Sequence, residues 1–66
     1  MIYEQIRKHL KNNGISQRFL SKKSGVSEQV MSAILNGRRK IIIEEYFNIC
    51  AALEIDPVSF YFKAKD

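Results

Sequence analysis

Apolar residues recur at helical rather than strand spacing along this 66-residue chain. Ile2, Ile6 and Leu10 stand four apart, one stripe of an amphipathic helix over 2–13, which Asn12-Asn13-Gly14 closes. Ser16 suits the N-cap of a second helix running through Lys23 or Ser24, with Phe19 and Leu20 facing inward. Gly25-Val26 turns the chain, and Ser27 suits the N-cap of a third helix, 28–36. That helix places Met31, Ile34 and Leu35 on one side and Glu28, Gln29, Ser32, Ala33 and Asn36 on the other. Gly37 ends it, and Arg38-Arg39-Lys40 forms a basic connector. A fourth helix from about Glu44 to Leu53 offers Phe47, Ile49, Cys50 and Leu53 to the core, with Glu44 and Glu45 near its positive end. Asp56-Pro57 reads as cap and first residue of a fifth helix of one or two turns, 57–62. Ile41-Ile42-Ile43 has strand-like composition, but no alternating pattern competes with the helices. The pattern predicts an all-α chain.

Composition narrows the class. The chain is 45% apolar and 27% charged, ordinary for a globular protein, and its length suits one small domain, 1–66. The longest apolar run has three residues, far short of the roughly 18 that a membrane helix needs. The polar opening, with Glu4, Gln5, Arg7, Lys8, His9 and Lys11, carries no signal-peptide pattern. The one cysteine, Cys50, forms no intrachain disulfide and no zinc site alone, so a reducing cytoplasm is expected, with Cys50 packed inside. His9 lacks a second His, Cys or acidic cluster and reads as a surface residue. Tyr3 and Tyr46 read as core-edge residues. No Ser-His-Asp set, paired carboxylates or phosphate-cradling Gly-rich loop can be assembled. Catalysis, a metal, a cofactor and a small-molecule ligand are therefore not expected.

Charge changes the picture most. Residues 1–40 hold nine basic and two acidic side chains, a net +7, whereas residues 41–66 hold two and five, a net −3. A chain so divided suggests a polyanion partner for its first part.

The block from Ser16 to Gly37 joins these observations. It runs Ser16-Gln17, Leu20-Ser21, Gly25-Val26-Ser27, Met31-Ser32, Ile34-Leu35-Asn36-Gly37. A short helix, a turn opened by glycine and a second helix form a helix-turn-helix. Leu20, Val26, Met31 and Ile34 must meet in the angle between the helices. Residue 21 must be small for close approach, and Gly25 must take a backbone conformation costly for other residues. With the basic tail and the closing Leu53-Glu-Ile55-Asp-Pro57, the chain resembles the Cro/repressor-type (XRE-like) helix-turn-helix family of phage and bacterial regulators. The resemblance covers nearly the whole chain. It implies a compact five-helix, lambda-repressor-like DNA-binding domain with the motif at about 16–37. It also implies binding to double-stranded DNA as a dimer, third helix in the major groove. Four positions depart from the family pattern. Ser21 stands where Ala is frequent, Ser24 where an apolar residue is common, Ile41-Ile42-Ile43 where Pro often follows the basic pair, and Ile42 where a Ser or Thr cap is expected.

Residue chemistry assigns the expected contacts. Near the start of the third helix Gln29 can pair bidentately with adenine N6 and N7, Ser32 can donate or accept, and Ala33 offers a methyl contact to thymine. Glu28 can accept from cytosine N4, or sit as an ordinary acid in a first turn. Gln17 stands where a helix N-terminus meets a phosphate. Ser27, Asn36, Arg38, Arg39 and Lys40 complete the expected phosphate contacts, and Asn36 doubles as a helix-ending residue. Phe60-Tyr61-Phe62 cannot all share one buried face of a short helix. Since family members dimerise between the fourth and fifth helices, Val58, Tyr61 and Phe62 are the expected dimer contact, the alternative being that all pack inside. The reading is a sequence-specific transcriptional regulator, Cro- or repressor-like, on a near-palindromic operator. The second reading is a protein-interaction module, an antitoxin or anti-repressor partner on the same fold.

Overall fold

A computed structural model describes residues 1–65, with side chains through Lys63. Five helices follow one another: α1 (Ile2–Asn12), α2 (Gln17–Ser24), α3 (Glu28–Leu35), α4 (Ile43–Leu53) and α5 (Pro57–Lys65). The fold is all-α and lambda-repressor-like, with no strand among the described residues. α2 packs on α3 and α4, α1 on α3 and α5, and α4 on α5. Every helix therefore leans on at least one neighbour distant in sequence, as short helices must, since most of their stability comes from tertiary packing.

The core gathers Ile6 and Leu10 from α1, Leu20 from α2, Val26 from the turn, Met31, Ile34 and Leu35 from α3, and Ile49 from α4. Each full burial of such a side chain contributes about 1.5–3 kcal/mol over exposure. Cys50 is also fully buried and unpaired. Burial holds its thiol above the ordinary range, so it stays protonated and packs as a small apolar residue.

The helix ends follow local chemistry. The Ser16 Oγ accepts from Phe19 N at 3.0 Å and the Ser27 Oγ from Val30 N at 3.2 Å, so both serines cap as the sequence predicts. Gly25, at φ +78°, makes the left-handed turn between α2 and α3. Gly37, at φ +74°, ends α3 with paired bonds, its own N–H to the Ile34 carbonyl and that of Arg38 to the Ala33 carbonyl. A Cβ on Gly37 would lie 2.8 Å from the Tyr3 ring, so glycine also lets α1 close on the connector. At the end of α4, Glu54 takes the same left-handed turn at φ 56° without being glycine. Asp56 caps α5, accepting from Ser59 N at 3.2 Å and Ser59 Oγ at 2.6 Å, and these bonds hold its carboxyl below the usual range.

Two expected core residues are corrected. Phe19 is 51% exposed and Phe47 is 47% exposed. In α2 the buried arc is Leu20, Ser21 and Ser24; in α4 it is Ile49 and Cys50, flanked by half-buried Tyr46 and Leu53. Phe19 sits about 100° round its helix from Leu20 and Phe47 about 160° from Ile49, and apolar character alone does not move a side chain round a helix. Boundaries shift too. α4 starts one residue earlier than predicted, at Ile43, and α5 runs to Lys65 rather than ending at 62, while α1 and α3 each end one residue sooner.

The family departures find local answers. Ser24 is buried but donates to the Leu20 carbonyl at 2.7 Å. Buried Ser21 keeps the helices close, yet its hydroxyl has no partner among the described residues. Ile42 has no acceptor for a cap. The reciprocal bond forms instead, from Ile42 N to the Glu45 carboxylate at 3.1 Å.

Candidate nucleic-acid interface

The two capped helices bring much of the expected contact set together. Gln17 at the first position of α2, Glu28, Gln29 and Ser32 on α3, and Arg38 just past its end line one open depression of about 510 Å³. Glu28, Gln29 and Arg38 are exposed and Ser32 is half-buried. Hydrogen-bonding groups that project from a helix N-terminus, with neutral Gln17 on one flank and the Arg38 cation on the other, can meet base edges and phosphates at once. At the start of α2 the Ser16 Oγ serves only the third backbone N–H, so the first two point at whatever approaches that end. The Ser27 Oγ acts as acceptor to Val30 and keeps its own proton to donate outward.

Other expected residues sit elsewhere. Ala33 is half-buried and does not line this depression. The Asn36 amide nitrogen donates to the Ser32 carbonyl at 2.8 Å and to the Ser32 Oγ at 3.4 Å, so here the side chain does its helix-ending work. Arg39 turns away to Glu45, its Nη1 at 2.7 Å from the carboxylate, and also reaches the Lys40 carbonyl. The hydrogen bond with Arg39, strengthened by charge, keeps Glu45 below the usual carboxylate range and raises Arg39. Arg39 and Lys40 flank Tyr3, Gly37 and Ile41 on the side facing the start of α1. The pairing of Arg39 across six residues follows no helical spacing, so no periodicity could signal it.

The residues of α4, α5 and the segment before α4 carry a different surface. Val58, Tyr61 and Phe62, the expected dimer contact, line an apolar depression of about 390 Å³ with Ile42, Ile43, Tyr46 and Phe47. Phe60 turns inward, edge-on to His9 with ring centroids 6.1 Å apart, which leaves Tyr61 and Phe62 exposed. His9 is half-buried under that ring rather than a plain surface residue. Tyr46 donates to the Pro57 carbonyl at 2.6 Å, tying α4 to α5 at the floor of the groove. Burial, aided by neighbouring Cys50, pushes its phenol above the ordinary range. Ile42, Ile43 and Phe47 were missed as members of this surface; the signal was the isoleucine run, three apolar residues with no helical period to bury them.

A family model described as helix-turn-helix matches residues 6–60. The chain belongs to the Cro/repressor-type helix-turn-helix family. No curated protein matches the sequence, so membership rests on that match and the fold. The family is one of DNA-binding, non-enzymatic regulators, which makes this chain a DNA-binding helix-turn-helix regulator. The matched span takes in the whole of α2 and α3 and the depression between their outer ends. No helix among the described residues is long and apolar enough to cross a membrane.

Proposed function

We propose that this helix-turn-helix protein is a sequence-specific, Cro- or repressor-like regulator that binds a near-palindromic operator as a homodimer and acts by covering a promoter in the cytoplasm. The observation that carries the reading is the convergence of Gln17, Glu28, Gln29, Ser32 and Arg38 on one exposed depression. Glu28, Gln29, Ser32 and Ala33 read bases. Gln17, Ser27, Asn36, Arg38, Arg39 and Lys40 hold phosphates, with Asn36 and Arg39 first releasing Ser32 and Glu45.

The apolar groove supports the dimer. Val58, Tyr61 and Phe62, with Ile42, Ile43 and Phe47, present a contiguous surface that water solvates poorly. Its lining holds no charged side chain, so pairing there leaves the cationic residues available to DNA. An isologous pair would place two recognition helices about 34 Å apart, one DNA turn. The same groove is the one feature that favours the second reading, a protein-interaction module of the antitoxin or anti-repressor kind.

Selection of bound duplexes from a randomised library, followed by affinity against salt, tests the proposal. A two-fold motif with half-sites one turn apart and a steep salt slope is expected. Absence of duplex binding at low salt overturns it and directs the search to a protein partner at the groove.

A further inference from the structure

We propose that the polar stripe of α1, Arg7, Lys8 and Lys11, forms with Gln17 a second phosphate-binding face that holds the DNA backbone beside the recognition surface. The inference deepens the DNA-binding reading above and rests on it.

The periodicity of α1 makes the stripe. Residues 4, 7, 8 and 11 follow i, i+3, i+4, i+7 and share one helix face, turned from the stripe of buried Ile6 and Leu10 and half-buried Ile2. In the folded protein this face and the end of α3 enclose an open depression of about 570 Å³, lined by Glu4, Arg7, Lys8, Lys11, Gln17 and Asn36 over Leu10 and Leu35. Gln17 borders both this depression and the recognition one, so the two adjoin at the N-terminus of α2.

The charge on this face is one-sided. Glu4 is its sole acid, and that carboxylate is bound to the terminal amine of Met1 at 3.0 Å. Arg7, Lys8 and Lys11 are exposed and enter no ion pair among the described residues. Like charges at i, i+4, as at Arg7 and Lys11, repel modestly, and that repulsion is relieved by a counter-charge from outside. A run of evenly spaced phosphates supplies it. No aromatic side chain lines the depression, so it lacks the stacking platform that single-stranded RNA uses.

The test compares the full chain with Arg7→Gln, Lys11→Gln and the double variant on the duplex chosen by library selection. Lys22→Gln, an exposed charge on α2 that lines neither depression, is the matched control. Each α1 substitution is expected to lower the slope of log affinity against log salt by about 0.9 per protomer, and the double by about 1.8, the value for lost B-DNA phosphate contacts. The selected motif should not change, and the melting temperature should hold or rise slightly as the Arg7–Lys11 repulsion is relieved. If the wild-type chain binds but the α1 variants match Lys22→Gln, the face is merely solvated; the inference fails and the DNA reading stands. A changed motif in the α1 variants would place these residues on bases and overturn the phosphate assignment. No duplex binding by the wild type, or tighter binding of single-stranded RNA, overturns both readings.

Discussion

The α2–α3 pair and the α4–α5 pair use the same device, two short packed helices, and leave contrasting surfaces behind. At the first pair the apolar residues of α3 are buried, with Val30 and Ala33 half-buried, and apart from Phe19 on α2 what remains outside is polar or charged. At the second, Ile42, Ile43, Phe47, Val58, Tyr61 and Phe62 remain outside, Ile43 with 73% of its surface exposed. A polar face is content in water and waits for a ligand that offers better hydrogen bonds and counter-charge. An apolar face is poorly solvated whether or not DNA is present. The contrast separates two kinds of recognition on one small chain: direction and charge at one end, non-directional burial at the other.

Substitutions at the two ends should therefore fail differently. The largest expected effect is Met31→Ala, which empties the seat of α3 in the core. It should cost about 2–5 kcal/mol in chemical denaturation and weaken binding to every duplex alike. Next comes Gln29→Ala. It should leave the fold intact and relax preference at one base pair by about 1–3 kcal/mol, read from affinities for single-base operator variants. A loss equal on all sequences would contradict its base-reading role. Ile43→Asp should act on the other end only. Sedimentation should show loss of self-association, and affinity for the two-half-site operator should fall about tenfold or more while that for a lone half-site holds.

Ser21→Ala addresses the interior between the motif helices. Removing a buried hydroxyl without a partner should stabilise the protein by about 1 kcal/mol in thermal melts, with the selected motif unchanged. The smallest effect is on pH dependence. Asp56 is held below its usual value by Ser59, so its contribution is complete above the unfolded pKa near 4 and is lost as pH falls through the lower folded value. Asp56→Asn should make the fall in melting temperature below about pH 4 shallower, with Glu45, depressed by Arg39, accounting for part of what remains.

Much of the fold was legible in the sequence. The two serine caps, the glycine turn, the Asp-Pro start of α5 and the apolar seats at Ile6, Leu10, Leu20, Met31, Ile34 and Ile49 all follow from short-range spacing. Such features are decided within one or two helical turns, where backbone sterics and side-chain periodicity act directly. The polar outer face of α3 was readable for the same reason. Phe19 and Phe47 were not, because composition says that a residue prefers burial but not whether its helix face meets a neighbour. The pairing of Arg39 with Glu45 was equally hidden, since it depends on how the connector folds back onto α4.

By itself the sequence determined the number and kind of helices, the turn that makes the motif and the division of charge between the two parts of the chain. Only tertiary structure decided which of these features became neighbours. It brought Gln17 beside Gln29 and Arg38, joined the α1 cations to the same surface, and gathered the isoleucine run with Phe47 and Tyr61 into one groove. The physical reason is that helix periodicity sets the direction of a side chain relative to its own axis. The angle and contact between axes arise from packing residues far apart in the chain, and that is where surfaces are made.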